Sequence, residues 1–157
     1  MISQKFVRLI ADNAKEITNY WVKDISENIT TPSYKEHDKD ECFAYGMSIL
    51  KELGDWIDNK KRATEIKEIY LKIGKERAKQ NIPLEEVVSA NLILKRHIWL
   101  YVLSRGFLSN AFELYQVLEI NNQVVYFFDR LVFYLVYGYE LETTAKIKGM
   151  EHLFGRD

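Results

Sequence analysis

From Asn110 to about Ile147 the chain carries no proline and a single glycine, Gly138. Apolar and aromatic residues recur throughout that stretch: Tyr115, Val124, Val125, Tyr126, Phe127, Phe128, Leu131, Val132, Phe133, Leu135, Val136 and Tyr139. Nothing in it breaks a helix, and the apolar positions wrap most of the way round one. The segment predicts a final helix over about 109–147, capped by Ser109 and about 57 Å long. A chain of 157 residues cannot cover such a helix along its whole length. One face is expected to meet the other helices, and the rest to project or to pair with a second copy. Tyr126, Asp129, Arg130, Phe133 and Tyr137 are the candidate dimer contacts. Asp129 and Arg130 are adjacent and point in different directions, so they are not expected to pair with each other.

The remainder also reads at helical spacing. Ile2, Phe6, Leu9, Ile10, Ile17, Tyr20, Trp21, Ile25 and Ile29 predict one helix over 2–29, ended by Thr30-Thr31-Pro32. Asp38 opens a second helix, to Asp58, with Glu41 in the position of a capping box. Phe43, Met47, Leu50, Leu53 and Ile57 form its apolar stripe. Ala63–Gln80 is the third helix, with Asn81 as a left-handed stop and Pro83 opening the fourth. The fourth runs to Ser104 and carries two apolar stripes, one with Ala90, Ile93, His97 and Leu100. Arg105-Gly106 ends it. Gly149 and Gly155 are expected to loosen the tail. No strand alternation, repeat or linker stands out, which predicts one all-α domain over 1–157, a bundle of about five helices with a long last one.

Composition narrows the function. Lys and Arg number 22 and Asp and Glu 23, which gives no electrostatic basis for general nucleic-acid binding. Residues 59–79 hold eight Lys and Arg against three Glu, but signs alternate and Tyr70 is the lone aromatic. That face suits solvent or a partner protein. Cys42 is the sole cysteine, which fits a reducing compartment. Met1–Phe6 offers no apolar export segment, so a cytoplasmic location is expected. The most apolar run, Val124–Tyr139, is 16 residues with Asp129 and Arg130 at its centre, too short and too charged to span a bilayer.

Catalytic signatures are missing: no nucleophile elbow, zinc-protease motif, Walker loop or dinucleotide fingerprint occurs. Gly74-Lys75 falls inside a helix pattern. His37, His97 and His152 lack the Glu-x-x-His pairs of a di-iron bundle. His37 and Glu41 share a helix face, enough for half a metal site; a charged helix start explains them as well. His97 is the most informative histidine. It lies mid-helix among Ile93, Leu94, Ile98, Trp99, Leu100 and Tyr101, the setting in which a lone imidazole ligates haem iron. The plainer reading is a histidine bonded to a neighbour. Arg96 and Arg77 are further ligand candidates, each also readable as an ion-pair partner at the rim. His97, Arg96, Arg77, Tyr101 and Trp99 make up the candidate ligand set. No enzyme activity is expected, and no cofactor unless His97 holds haem.

The run Ile73-Gly74-Lys75-Glu76-Arg77-Ala78-Lys79-Gln80-Asn81-Ile82-Pro83-Leu84-Glu85-Glu86-Val87-Val88 resembles the middle of the N-terminal domain of RsbR-type proteins, the RsbT co-antagonist N-terminal domain. The Trp21 helix, the Thr31–Tyr34 turn and the long closing helix fall in that family's order. The resemblance implies a non-haem globin-like fold, dimerisation, and a sensory input role in stressosome proteins and some sensor kinases. It also implies that the last helix passes a signal to an output domain or partner. Members often carry Gly before Ile-Pro, where this chain has Asn81. With the sequence read to Asp157 and no output domain in it, the expectation is an excised input domain or a stand-alone protein signalling by contact.

Overall fold

The computed structural model describes residues 2–107 and 111–155, the side chains of Ala111 and Phe112 excepted. Among the described residues the fold is made of six α-helices: α1 (Ile2–Asp12), α2 (Ala14–Glu27), α3 (Lys39–Ile57), α4 (Ala63–Lys79), α5 (Leu84–Ser104) and α6 (Ala111–Phe154). A single 3-10 turn, Pro32–Lys35, joins α2 to α3. No strand occurs among the described residues. The arrangement is compatible with the globin-like bundle expected.

The helix expected over 2–29 is two helices. Asn13 leaves the helical region, with φ −118° and ψ 18°. Its side-chain amide donates back to Leu9 O at 2.8 Å, and its side-chain oxygen accepts from Tyr101 Oη at 2.8 Å. An asparagine side chain that competes for backbone partners, held from outside by α5, breaks the continuous helix the apolar spacing implies.

Asp38 caps α3 by accepting from Asp40 N at 2.8 Å and Glu41 N at 3.4 Å. Glu41 does not complete a capping box; its carboxylate is taken by Arg77 and Gln80. Asn59 (φ 58°) and Asn81 (φ 57°) adopt the left-handed conformation that stops α3 and α4. Pro83 stands one position outside α5 rather than at its first residue. Gly106 (φ 65°) ends α5. The Ser109 cap lies outside the described residues. α6 runs through Gly149 to Phe154, seven residues past the expected end, and its 44 residues span about 66 Å.

Small residues set where the helices cross. α2 crosses α3 at Gly46, where a Cβ would lie 2.7 Å from Thr18 Cγ2 and 2.9 Å from Trp21 Cζ3. The buried line on α3 is therefore Cys42, Gly46, Ile49, Leu53, with Phe43 and Met47 only half-buried beside it. The most extensive packing is α4 on α6. A Cβ at Gly74 would meet Leu135 O at 2.0 Å, and one at Gly138 would meet Leu71 O at 2.0 Å. From that seam Phe127, Phe128, Leu131 and Leu135 enter the core beside Tyr70, Ile66 and Ile49. α5 packs across α2 and α6. Its second expected stripe holds only in part: Ala90 and Ile93 are buried, but Leu100 is exposed.

A methyl group at the α4–α6 seam forces two backbones apart. Gly74→Ala and Gly138→Ala are each expected to lower stability by about 3 kcal/mol in urea unfolding. Gly54→Ala is the comparison, since its Cβ would meet nothing closer than Val7 Cγ1 at 3.4 Å. There a change below about 1 kcal/mol is expected, with helix propensity acting in its favour. Equal losses at all three positions would contradict the seam.

Candidate functional site

The groove between α2 and α5 gathers two polar clusters. His97 Nε2 lies 2.7 Å from Asp24 Oδ2. Asp24 also accepts from Asn28 Nδ2 at 3.0 Å. Burial would raise the Asp24 carboxyl. Hydrogen bonds from Asn28 and His97, with the charges of His97 and Arg96, outweigh burial and hold it below its ordinary value. One turn along α5, Tyr101 Oη donates toward Asn13 Oδ1 and Glu16 Oε2, both at 2.8 Å. Arg105 Nη2 donates to Tyr101 Oη at 2.7 Å and to Glu16 Oε2 at 3.3 Å, its guanidinium over the Tyr101 ring. Desolvation, with the Glu16 carboxylate, raises the Tyr101 phenol, so it stays neutral and keeps its proton to donate. An open cleft of about 400 Å³ lies between these two clusters, with Tyr20 and Leu100 on its walls.

The five candidate ligand residues do not form one site. His97 and Tyr101 share this cleft. Arg96 is exposed beside it and acts on Asp24 through charge. Trp99 points the other way along α5 and packs on Phe6, ring centroids 5.4 Å apart. Arg77 lies elsewhere, between α3 and α4. It is 5% exposed, not the rim residue expected. Its Nη1 donates to Glu41 Oε1 at 2.8 Å and Gln80 Oε1 at 2.9 Å, and its guanidinium covers the Tyr45 ring. Burial opposes ionisation of Glu41, but Gln80, Arg77 and His37 prevail and lower its carboxyl. His37 stands before the Asp38 cap and so shares no helix face with Glu41, yet the two meet at 3.3 Å. Nearby, burial pushes the Cys42 thiol up to about 11. Among the described residues no three His, Cys, Asp or Glu are placed to hold a metal ion.

His97 is the residue on which the haem expectation rests. Its Nε2, the usual iron-facing nitrogen, is engaged by a carboxylate at 2.7 Å. The adjoining cleft is open and lined by Glu16, Tyr101, Ser104 and Arg105 rather than apolar walls. On the other side of the bundle, Ile49, Tyr70 and Phe127 fill the core around α3, α4 and α6.

On α6 the candidate dimer contacts share the outer face. Phe133 is 63% exposed and Tyr137 48%. Asp129 is exposed. Tyr126 and Arg130 are engaged within the chain: Arg130 Nη2 donates to Tyr126 Oη at 2.6 Å, and Trp56 stacks on the Tyr126 ring at 5.7 Å. Further out, Ile147, Met150, Leu153 and Phe154 are all more than half exposed.

Sequence reasoning missed Asn13, Glu16, Asp24 and Arg105. Their partners lie more than 70 residues away, or join only through Tyr101. The available signal was Asn13, a polar residue interrupting an apolar-period helix.

A family model described as histidine kinase N terminal matches residues 3–141. Among curated proteins none matches.

Two pH effects follow from the lowered carboxyls. Asp24 and Glu41 both titrate below their ordinary values of 3.8 and 4.5 in the folded chain. The stability they supply is complete above those values and is lost as pH falls through the folded ones. Urea unfolding is expected to show stability declining below roughly pH 4.5. Asp24→Asn combined with Glu41→Gln is expected to flatten that decline; an unchanged slope would refute the assignment.

Proposed function

The chain belongs to the histidine kinase N-terminal family, and from that premise we propose that it is a sensory input domain whose output is the position of α6. The observation that carries this reading is the coupling of α6 to the bundle. α6 meets α4 backbone to backbone at Gly74 and Gly138. Tyr139 Oη donates to Ile82 O at 2.7 Å, and Lys146 Nζ donates to Ala78 O at 2.7 Å. A helix tied at so many points cannot shift without the bundle shifting. Beyond Lys146 it continues with an exposed apolar face, the surface an output domain or partner protein would engage.

In this reading the input arrives at α5. The Asp24–His97 and Asn13–Tyr101 contacts fix α5 against α2 and against the α1–α2 break. A ligand or partner that prefers one packing of α5 shifts the population, and α5, packed on α6, transmits the change. The site works by binding and displacement, not catalysis, and needs no cofactor. The finer reading is a non-haem globin-like module of the RsbR, stressosome-like kind, cytoplasmic and not a nucleic-acid binder. No helix among the described residues is long and apolar enough to cross a membrane.

We read the exposed α6 face as a homodimer interface, with Phe133 at its centre and Tyr137, Asp129, Tyr126 and Arg130 around it. Large apolar side chains at such exposure are the kind that a second copy covers. Sedimentation equilibrium tests this. The protein is expected to sediment as a dimer, and Phe133→Ala is expected to weaken association at least tenfold with the helical signal retained. A monomer, or a dimer indifferent to Phe133, would contradict the reading.

A further inference from the structure

The α1–α2 break has two sides. One faces α5, where Tyr101 donates to Asn13. The other opens toward α3, where a cleft of about 500 Å³ lies between α1, the start of α2 and α3. Val7, Ala11, Ala14, Met47 and Leu50 line it. Gly54 adds to its floor, and the missing side chain leaves the space open. The volume is within the roughly 300–1,000 Å³ typical of small-molecule sites.

The polar groups at the mouth are already partnered. Lys51 lies 3.8 Å from Asp55, and Lys60 lies 3.6 Å from Asp58. The Ser48 hydroxyl donates to Tyr45 O at 2.7 Å. The cleft therefore offers hydrocarbon surface and no unpaired charge. The two lysines stand beside two aspartates, so the lining offers an ionised ligand no net counter-charge for the hydration it gives up, whereas an uncharged apolar one gains by leaving water.

We propose that this cleft binds a small uncharged apolar molecule, and that its occupancy bears on the α1–α2 break. Ala11 and Ala14 stand on either side of Asn13. An occupant pressing on them moves the residue to which Tyr101 donates, and so reaches α5. The binding step does not depend on the dimer or on any output.

The test is a titration of the nitrogen-15-labelled protein with 1-octanol and, separately, with octanoate at neutral pH, followed by amide resonances. Octanol is expected to shift Ala11, Asn13, Ala14, Met47 and Ser48 saturably. Octanoate, of equal chain length but charged, is expected to need at least tenfold more. Ala11→Trp, at an exposed position facing the cleft, is expected to abolish the octanol response while the remaining spectrum is kept. Ser48→Phe fills the cleft from the α3 side should the first variant not fold. The absence of a saturable octanol response would overturn the proposal, as would a response that survives the filled variant or octanoate binding as tightly as octanol. Phe133→Ala is expected to leave binding intact, so this proposal and the dimer fail separately.

Discussion

α4 and α6 approach so closely at Gly74 and Gly138 that neither position has room for a Cβ. Each glycine lies against a carbonyl of the other helix: Leu135 O faces Gly74, and Leu71 O faces Gly138. Such a contact fixes both separation and register, because sliding either helix would bring a side chain against backbone. Two hydrogen bonds then hold the crossing along its length. Tyr139 reaches the carbonyl of Ile82 in the α4–α5 turn, and Lys146 reaches Ala78 O in the last turn of α4. The Lys146 charge also suits the negative end of the α4 dipole. Phe127, Phe128, Leu131 and Leu135 are presented to the core as a result, and α5 packs against a helix already in place.

The opposite side of the bundle is held by polar contacts of a different kind. The α1–α2 break at Asn13 exists in company with Tyr101, and Glu16 and Arg105 complete that cluster. Asp24 and His97 repeat the arrangement further along the groove. These groups are partly exposed, so each contact is individually weak and screened by water. The bundle thus has a backbone-to-backbone seam at α4–α6, and at α2–α5 a buried anchor, Trp21 Nε1 donating to Ala90 O at 2.8 Å, edged by a polar rim that is easier to rearrange. A sensory domain needs both: a place where a small free energy changes the packing, and a stiff element that reports the change.

Helix content was legible in the spacing of apolar residues, and the stops at Asn81 and Gly106 were legible in residue chemistry. Helix crossings were not. Hydrophobicity ranks Phe43 and Met47 above Gly46, yet Gly46 marks the buried line, since only a residue without a side chain allows Trp21 and Thr18 so near. Gly74 and Gly138 are the same case; a glycine in a helix pattern reads as a weakness until its neighbour is known. The tail shows the same limit. Gly149 costs its helix about 1 kcal/mol, but Lys146 is anchored on α4 just before it, and the helix continues. For the site, His97 and Tyr101 were found from their place on an apolar helix. Trp99 joins them by adjacency on the same helix and Arg77 by its place on the third helix, and fold geometry separates all three places. Asn13, Glu16 and Asp24 lie on the far side of a long-range contact that periodicity does not encode.

Native-state hydrogen exchange over the two seam segments, residues 71–78 of α4 and 131–139 of α6, tests most directly whether α6 moves with the bundle. If the glycine seam makes them one unit, their amides exchange with a common opening free energy and a common denaturant dependence. Exchange of the α6 segment through its own low-energy opening, while α4 stays protected, would contradict the account.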